Sequence, residues 1–215
     1  MALALFDLDY TILNGDTERL WAVRQIELGL WGEDVLLRLN EYDEDYAAGR
    51  LDLREYMRYY FTPHQTHPRA LMEQERDRFL EEEVRPRLRL SRRVQWHRER
   101  QDELVLITAS SAFTGHAVAR MLDFSYSLAT EIEVGPEGFT GEIVGTPCFR
   151  ENKLVCLQHL LEEQNWSLEE SWGYSDSLND LPLLEAVTHP VLVTPDPSLE
   201  AIGKERGWEV LQDLR

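Results

Sequence analysis

The sequence predicts an α/β fold in which a mostly parallel sheet carries helices on both faces, with a helical cap inserted after the first strand. Two observations lead to this prediction. In the second half of the chain, short apolar runs alternate with helical patterns, and such alternation is typical of parallel sheets. The first apolar run is instead followed by a long helical stretch without a convincing strand. That stretch interrupts the sheet and is expected to cover its carboxyl edge.

The strands are predicted from apolar runs of buried-strand length. The first covers residues 1–5, and the later runs lie at residues 104–107, 125–134, 139–144, 172–175, 191–193 and 208–211. Gly135-Pro136-Glu137-Gly138 separates two of these runs and predicts a hairpin. Helical patterns separate the others at residues 112–122, 151–164, 181–187 and 198–206, so the order of elements is Rossmann-like.

The helical stretch after the first run is broken by glycines and prolines into shorter segments. These are residues 17–29, 33–48, 52–60 and 68–84, and a further helix is predicted at residues 91–100. Asp16 or Thr17 can cap the first segment. We therefore predict two domains, a catalytic α/β core formed by residues 1–13 and 87–215, and a helical cap formed by residues 14–86.

The formal net charge of −18 limits the choice of partner. Nucleic-acid binding needs a basic surface, so no nucleic-acid partner is expected. An anionic substrate would meet the same unfavourable field, so a phosphate site must carry its own local cations. No apolar run approaches the roughly 20 residues that span a bilayer, and the N-terminus lacks the basic start of a secretory signal. We therefore expect a cytoplasmic protein with no membrane partner, and the sequence leaves its oligomeric state open.

The chain has two cysteines, Cys148 and Cys156, without C-x-x-C spacing. Buried thiols are the expected state, and a catalytic or disulfide role is the minor alternative. The chemistry of this chain is therefore expected to depend on its carboxylates.

Two carboxylates, Asp7 and Asp9, come directly after the first strand. Ligands of open α/β sheets bind beyond the carboxyl ends of the strands. Residues two apart in extended chain project from one face, so the two side chains can converge on one point. Their mutual repulsion raises a pKa unless a cation lies between them, and Mg²⁺, which prefers oxygen ligands, is the natural occupant. The alternative for this short pattern alone is a strand end with a solvated acidic turn.

Four more polar residues lie at comparable places in the sequence. Thr108 follows the second strand, Asp176 and Asp180 follow a later one, and Lys153 lies early in the helix before it. Singly, each has a simpler explanation: a helix N-cap for Thr108, turn and first-turn positions for the aspartates, and a surface charge for Lys153. Their joint placement favours a common site. Lysine is also rare here, because only Lys153 and Lys204 contribute to a Lys+Arg total of 22.

Four ordered motifs resemble those of the haloacid dehalogenase superfamily. Phe6-Asp7-Leu8-Asp9-Tyr10-Thr11 is similar to the first motif, and Ile107-Thr108-Ala109-Ser110 is similar to the second. Lys153 is similar to the third, and Ser175-Asp176-Ser177-Leu178-Asn179-Asp180 is similar to the fourth, although many members have Gly-Asp-Gly where this chain has Ser-Asp-Ser. The helical insertion lies where the phosphoserine-phosphatase-like branch has its cap. Members that only dehalogenate lack the second aspartate, so the resemblance implies a phosphatase.

The resemblance also implies a mechanism through an aspartyl-phosphate. Asp7 would attack phosphorus, while Asp9 would protonate the leaving alcohol and then deprotonate the hydrolytic water. Mg²⁺ would be the cofactor, bound by Asp7, Asp176 and the main-chain carbonyl of Asp9. These residues would make the carboxyl edge of the sheet the catalytic centre.

The remaining motif residues would hold the phosphoryl group. Thr108 and the main-chain N–H of Ala109 would bind phosphoryl oxygens, and Lys153 would neutralise the developing charge. Asp180 would hold Lys153 and bound water. Without the metal, the carboxylates would outweigh the one lysine and repel a phosphate dianion.

A small phosphate monoester is the expected substrate, because a helical cap leaves little room for a macromolecule. Two other functions stay open from the sequence. One is phosphoryl transfer to another alcohol, and the other is a non-catalytic sensor of a phosphate ligand. Similar members of the branch act on phosphoserine or on histidinol phosphate.

Asp16 bears on the choice between these two substrates. In phosphoserine phosphatases a cap-entry acid, seven residues after the acid/base aspartate, contacts the substrate amine, and Asp16 has this position here. Its alternative role is a helix cap. Phosphoserine also needs an arginine for its carboxylate, and the candidates are Arg50, Arg54, Arg58 and Arg69. An unpaired carboxylate is costly to bury, so histidinol phosphate, which lacks one, is the predicted substrate and phosphoserine the alternative.

Overall fold

The computed structural model describes residues 2–136 and 138–212. Its strands are β1 (Leu3–Phe6), β2 (Glu103–Ser111), β3 (Tyr126–Thr130), β4 (Ile132–Gly135), β5 (Gly138–Ile143), β6 (Ser171–Ser175), β7 (His189–Val193) and β8 (Glu209–Leu211). One sheet has the order β3-β2-β1-β6-β7-β8, and all its neighbouring strands are parallel. The predicted α/β fold with a mostly parallel sheet is confirmed.

The helices follow the predicted order closely. They are α1 (Thr17–Glu27), α2 (Asp34–Ala47), α3 (Leu53–Phe61), α4 (Arg69–Phe79), α5 (Ser91–Glu99), α6 (Ala112–Met121), α7 (Asn152–Gln164), α8 (Leu181–Ala186) and α9 (Pro197–Arg206). Five of them, α1 to α5, lie between β1 and β2 in the chain, and α1 to α4 occupy the segment where the sequence placed the helical insertion. The division into core and cap domains stays a prediction.

β1 lies in the middle of the sheet and all four of its residues are buried. Its side chains alternate between the two faces, as the period of a strand requires. Ala4 and Phe6 belong to the core cluster on one face, whereas Leu3 and Leu5 belong to the cluster on the other. The Phe6 ring also stacks on Tyr174 of β6, with centroids 4.5 Å apart. This double-sided burial fixes the end of β1, where the two aspartates begin.

Most strand boundaries shift by one or two residues, and two predicted strands differ more. β2 extends to Ser111, and its pairing with β3 is irregular between Ile107 and Ser111. The run at residues 125–134 is two strands rather than one: β3 joins the main sheet, while β4 pairs antiparallel with β5. Apolar content alone cannot show that break, because both pieces are equally apolar. The hairpin itself is confirmed, although Glu137 of its predicted turn lies outside the described residues.

The β4–β5 hairpin packs against α3, a contact that the sequence did not predict. The Arg58 guanidinium pairs with Glu142 of β5 at 2.6 Å. Gly141, with a φ of +82°, lies so close to α3 that an added Cβ would be 2.8 Å from the Arg58 Cα. A glycine is therefore required at this crossing. The hairpin therefore contacts the inserted helices through residues that are far in sequence from the segments that link these helices to β1 and β2.

No helix in the described ranges is long and apolar enough to cross a membrane. Both cysteines are free thiols. Cys148 is buried as predicted, whereas Cys156 of α7 is only partly buried, although it packs against the core cluster that contains Cys148.

Candidate active site

The chain turns sharply after β1, and this turn presents both aspartates. The Asp7 N–H donates to the Tyr174 carbonyl at 3.0 Å, so Asp7 is fixed at the strand end. Leu8–Ile12 then forms one wide turn, which the Leu13 N–H closes by donating to the Leu8 carbonyl at 2.9 Å. Tyr10 has a left-handed φ of 54°, which costs a non-glycine residue some strain. Asp7 and Asp9 both line one cavity of about 340 Å³.

Lys153 lies in the first turn of α7 and contacts two carboxylates. Its Nζ is 2.7 Å from Asp7 Oδ1 and 2.8 Å from Asp180 Oδ2, and the residue is 3% exposed. Burial would lower the pKa of Lys153, but the charges of Asp180 and Asp7 raise it well above its ordinary value. Burial raises the pKa of Asp7 to about 6, against the opposing effect of Lys153. The surface explanation for Lys153 is therefore wrong, because its ammonium group is a buried, fixed cation.

Asp180 is buried beside the same ammonium group. Its Oδ2 accepts a hydrogen bond from the Ser175 hydroxyl at 2.7 Å in addition to the one from Lys153. Ser175 is the last residue of β6, so the strand end positions Asp180 and Asp180 in turn positions Lys153. The structure thus places Asp180 where it can hold Lys153 against Asp7.

Asp176 follows β6 and accepts a hydrogen bond from the Thr11 hydroxyl at 3.1 Å. Burial, and then the charges of Asp7 and Asp180, raise the pKa of Asp176 to about 8. Raised pKa values at interacting buried carboxylates indicate that positive charge is lacking between them. A hard divalent cation with oxygen ligands fits this need.

The described residues hold only part of a metal shell in side chains. Among residues 2–136 and 138–212, no group of three or more His, Cys, Asp or Glu side chains converges as a metal cluster. The predicted set has only two side chains, Asp7 and Asp176, and completes its shell with the Asp9 carbonyl, waters and phosphate. Mg²⁺ commonly keeps several waters in this way.

Asp9 is held by hydrogen bonds on both of its carboxylate oxygens. Oδ1 accepts from the Thr17 N–H at 2.6 Å and from the Thr17 hydroxyl at 2.8 Å. Oδ2 accepts from the Ser110 hydroxyl. Burial, and then the charge of Asp16, raise the pKa of Asp9 well above its ordinary value. This side chain is therefore oriented and keeps a proton more readily than an exposed aspartate.

Thr108 lies inside β2 rather than after it, because the strand continues to Ser111. Its hydroxyl accepts the Ser110 N–H at 3.1 Å, and Ser111 is the residue that begins α6 as its N-cap. The N-cap explanation for Thr108 is therefore wrong. Thr108 and Ala109 both line the cavity, and the Thr130 hydroxyl holds the Ala109 carbonyl at 2.8 Å.

Asp16 both caps α1 and lines the cavity. Its carboxylate accepts the Arg19 N–H at 2.8 Å, so the alternative role as a helix cap is present. Burial raises the pKa of Asp16. The cavity wall around it combines acids with aromatic and apolar side chains, namely Tyr10, Glu18, Tyr42, Asp43, Tyr46, Leu51, Leu53, Tyr56 and Phe149. Such a wall favours a ligand that has both cationic and ring-like parts.

The four arginine candidates for a substrate carboxylate are not among the residues that line the described cavity. They bond elsewhere, Arg50 with Asp45, Arg54 with the Ile143 and Gly145 carbonyls, Arg58 with Glu142, and Arg69 with Glu73. Arg19 does line the cavity. Its guanidinium already contacts Asp43 at 2.8 Å and Asn40 at 2.7 Å.

The residues that orient the aspartates were not predicted from the sequence. Thr11 and Ser110 lie inside the quoted motifs, so their hydroxyls could have been noticed there. Thr17 and Glu18 open α1 and look like ordinary first-turn helix residues. Only the tertiary contacts show that they face the catalytic turn.

The chain is similar to known hydrolases and phosphatases. A family model described as haloacid dehalogenase-like hydrolase matches residues 4–185. The histidinol-phosphatase of Neisseria meningitidis serogroup C (strain 8013) is 33% identical over 216 residues, which cover 97% of each protein. A phosphoserine phosphatase of Mycobacterium tuberculosis is 33% identical over 122 residues, which cover 57% of this chain and 39% of that protein.

Solved structures show the same fold. A protein of unknown function from Bordetella pertussis Tohama I has a TM-score of 0.90, with 33% identity and 98% coverage of both chains. A substrate-bound phosphoserine phosphatase has a TM-score of 0.72 at 17% identity, covering 99% of this chain and 93% of that one. Since the family model spans most of the chain and the Neisseria relative nearly all of it, the chain belongs to the haloacid dehalogenase-like hydrolase family.

Proposed function

We propose that this phosphoric monoester hydrolase removes phosphate from a small metabolite that carries an ammonium group, with histidinol phosphate as the preferred substrate. The buried contact of Lys153 with Asp7, beside Asp9 in one cavity, carries the proposal. A carboxylate with a fixed cation next to an acid that keeps its proton forms a nucleophile and proton-donor pair.

The chemistry divides between Asp7 and Asp9. With a pKa of about 6, Asp7 is mostly ionised at neutral pH and attacks phosphorus to form an aspartyl-phosphate. Asp9, whose pKa is raised well above its ordinary value by burial, gives its proton to the leaving alcohol. It then accepts a proton from the water that hydrolyses the aspartyl-phosphate. Thr17 and Ser110 hold its carboxyl group in place for both transfers.

Three groups are proposed to bind the phosphoryl oxygens. The Thr108 side chain and the Ala109 N–H supply neutral donors, and Lys153 supplies positive charge. Asp180 holds the Lys153 ammonium at 2.8 Å, so the cation is oriented before substrate arrives. Such pre-orientation lowers the reorganisation needed during reaction.

Mg²⁺ is the proposed cofactor, held by Asp7, Asp176 and the Asp9 main-chain carbonyl. When bound, it supplies positive charge to the phosphoryl oxygens and to the carboxylates around them. Thr11 orients Asp176 for this role through its hydroxyl. The support is that burial, and then the charges of neighbouring carboxylates, raise the pKa values of both Asp7 and Asp176.

The substrate preference follows from the charges in the cavity wall. Asp16 and Asp43 line the cavity, and Arg19 is paired with Asp43. A substrate ammonium or imidazolium would find carboxylates there, whereas a substrate carboxylate would find no uncommitted arginine among the described wall residues. The histidinol-phosphatase relative supports the same choice. Residues 14–86 would form the cap that closes this wall over the phosphate site.

Kinetics on histidinol phosphate, phosphoserine and p-nitrophenyl phosphate at matched Mg²⁺ and pH test the proposal. We expect the highest kcat/KM for histidinol phosphate. A kcat/KM for phosphoserine at or above that value contradicts the substrate preference and leaves the phosphatase activity in place. If the protein hydrolysed none of these esters, the proposed phosphatase activity would be contradicted and a phosphate-ligand sensor would be indicated. Product analysis with an added alcohol separates hydrolysis from phosphoryl transfer.

A further inference from the structure

Glu18 is a buried acid that no step of the proposed reaction uses. It lies in the first turn of α1, lines the cavity and is 4% exposed. Its two carboxylate oxygens contact different parts of the chain. Oε1 accepts the Ser111 N–H at 2.9 Å, and Oε2 accepts the Tyr56 hydroxyl of α3 at 2.8 Å. Glu18 therefore joins the inserted helices to the end of β2.

The segment Thr108–Ser111 is the one that Glu18 holds, and it carries the proposed phosphate donors. Ser110 is fixed by its hydrogen bond to Asp9, and the Ala109 carbonyl is fixed by Thr130. Ser111 begins α6 without a side-chain cap, and its own N–H is the donor that Glu18 accepts. Removing the Glu18 carboxylate would leave the buried Ser111 N–H without this acceptor. The end of β2 would then shift so that this N–H finds another acceptor.

An acceptor is needed on both sides of Glu18, and a carboxylate provides two. Burial, and then the charge of Asp16, raise the pKa of Glu18 to about 7, while the hydrogen bonds from Ser111 and Tyr56 oppose this rise. Burying a charged carboxylate is costly, because it loses its hydration. What Glu18 contributes at this position is therefore its two hydrogen bonds. A glutamine has the same shape and can accept from the Ser111 N–H while donating to the Tyr56 oxygen.

We propose that Glu18 is a positioning residue, which fixes the phosphate-binding end of β2, Thr108–Ser111, relative to α1 and α3 through its two hydrogen bonds. It acts through Ser111 and does not contact the substrate. This inference rests on the proposed phosphatase function, because the position of the end of β2 affects kcat only if this segment binds the transferred phosphoryl group. A small displacement of such donors is enough to reduce turnover strongly.

The test compares Glu18→Met, Glu18→Gln and Tyr56→Phe with wild type, using p-nitrophenyl phosphate and inorganic phosphate as the ligands. Glu27→Met is the matched control, since Glu27 is an exposed acid at the other end of α1. We expect Glu18→Met to lower kcat by about 10- to 100-fold and to weaken competitive inhibition by phosphate. Glu18→Gln should recover most of that loss, and Glu27→Met should match wild type. Tyr56→Phe should give an intermediate kcat, because Glu18 keeps its bond to Ser111.

Three results would overturn the positioning role. One is a kcat for Glu18→Met within twofold of wild type. Another is equal impairment of Glu18→Gln and Glu18→Met, since the charge would then matter rather than the hydrogen bonds. The third is a loss confined to histidinol phosphate, which would make Glu18 a substrate contact.

Amide hydrogen exchange supplies a readout that does not depend on activity. Glu18→Met should accelerate exchange in peptides that contain Ser111, whereas Glu18→Gln and Glu27→Met should not. Unchanged exchange in Glu18→Met would contradict the proposal even if the protein hydrolysed no ester. An inactive wild type with accelerated exchange in Glu18→Met would contradict the proposed function while keeping the contact.

Discussion

A substitution at Lys153 tests the charge balance and geometry of the site directly. Its ammonium group lies between Asp7 and Asp180 at hydrogen-bond distance from both. A compact ammonium fits between two carboxylates and a phosphoryl group, whereas the planar guanidinium of arginine is larger and has a fixed geometry.

Lys153→Arg is therefore expected to lower kcat by roughly 100-fold or more while the protein stays folded. Charge is kept, so the loss reports geometry. Lys204→Arg is the matched control, because the side chain of Lys204 is 68% exposed and pairs with Glu200 on α9. Steady-state kinetics with p-nitrophenyl phosphate and circular dichroism give both readouts. Activity of Lys153→Arg within twofold of wild type would show that the buried contact has no catalytic role.

Asp16→Asn separates the two roles of Asp16. Asparagine is as good an N-cap as aspartate, so the hydrogen bond to the Arg19 N–H can persist and only the charge is lost. We expect kcat/KM for histidinol phosphate to fall at least about tenfold, the effect of roughly 1.4 kcal/mol, with p-nitrophenyl phosphate nearly unaffected. Asp52→Asn, at the exposed N-cap of α3, is the control. Equal losses on both substrates would leave Asp16 as a helix cap alone.

The sequence predicted the residues whose position depends on local spacing. Asp7 and Asp9 come from a strand end, and their separation places them on one side of the chain. Glu18 could not be found in this way, because its partner Ser111 is far away in sequence. Contacts of this kind depend on how α1 crosses the end of β2, which no local pattern records.

At the scale of elements, the hairpin β4–β5 fixes α3 in place. Phe139 of β5 packs against Phe61 of α3, with ring centroids 5.4 Å apart, and Gly141 lies against the α3 backbone. Movement of the inserted helices relative to the sheet would have to break this packing. The hairpin is therefore expected to stabilise the closed wall of the cavity.

Gly141→Ala tests this contact. Both Gly141 and Gly145 have a left-handed φ, so alanine costs about 1–2 kcal/mol of backbone strain at either position. Only at Gly141 would the Cβ also meet the Arg58 backbone, and nothing lies within 4 Å of it at Gly145. We expect Gly141→Ala to lower the free energy of unfolding by about 1–3 kcal/mol more than Gly145→Ala. Equal losses in chemical denaturation would mean that α3 moves away at little cost.

The order of helices and strands could be predicted, and the way they pack could not. Glycine and proline bound the inserted helices, since α1 ends shortly before Gly29 and α4 begins directly after Pro68. The split of residues 125–134 between two sheets depends on the partners of β3 and β4, which are set by tertiary pairing.

At the scale of the whole molecule, the net charge is −18, and acidic side chains also outnumber basic ones in the lining of the cavity. Asp7 and Asp176 have raised pKa values, so the metal-free folded state holds protons that the unfolded state releases at lower pH. Because the folded state binds more protons than the unfolded state in this range, folding stability falls as pH rises from about 4 to about 8. A bound divalent cation would remove this loss. The cytoplasmic location and the absence of nucleic-acid and membrane partners stay predictions.

We therefore expect Mg²⁺ to raise the unfolding temperature, and to do so more at pH 8 than at pH 5. Exhaustive chelation should abolish turnover, and Ca²⁺, which prefers more oxygen ligands at longer distances, should inhibit. Thermal unfolding with EDTA or Mg²⁺ across this pH range gives a readout separate from activity. Asp176→Asn should reduce both the pH dependence and the effect of Mg²⁺. Full activity after chelation would exclude the proposed cofactor.

The most direct test of the central claim is to find the phosphoryl group on the enzyme. Wild-type protein is mixed with histidinol phosphate and Mg²⁺, quenched in acid during turnover, digested and mapped by mass spectrometry, with Asp7→Asn as the control. The proposed mechanism predicts one phosphoryl group on Asp7 of wild type, no adduct in Asp7→Asn, and no turnover by that variant although it stays folded. A phosphoryl group on another residue, or wild-type-like turnover by Asp7→Asn, would contradict the role of Asp7 as the nucleophile.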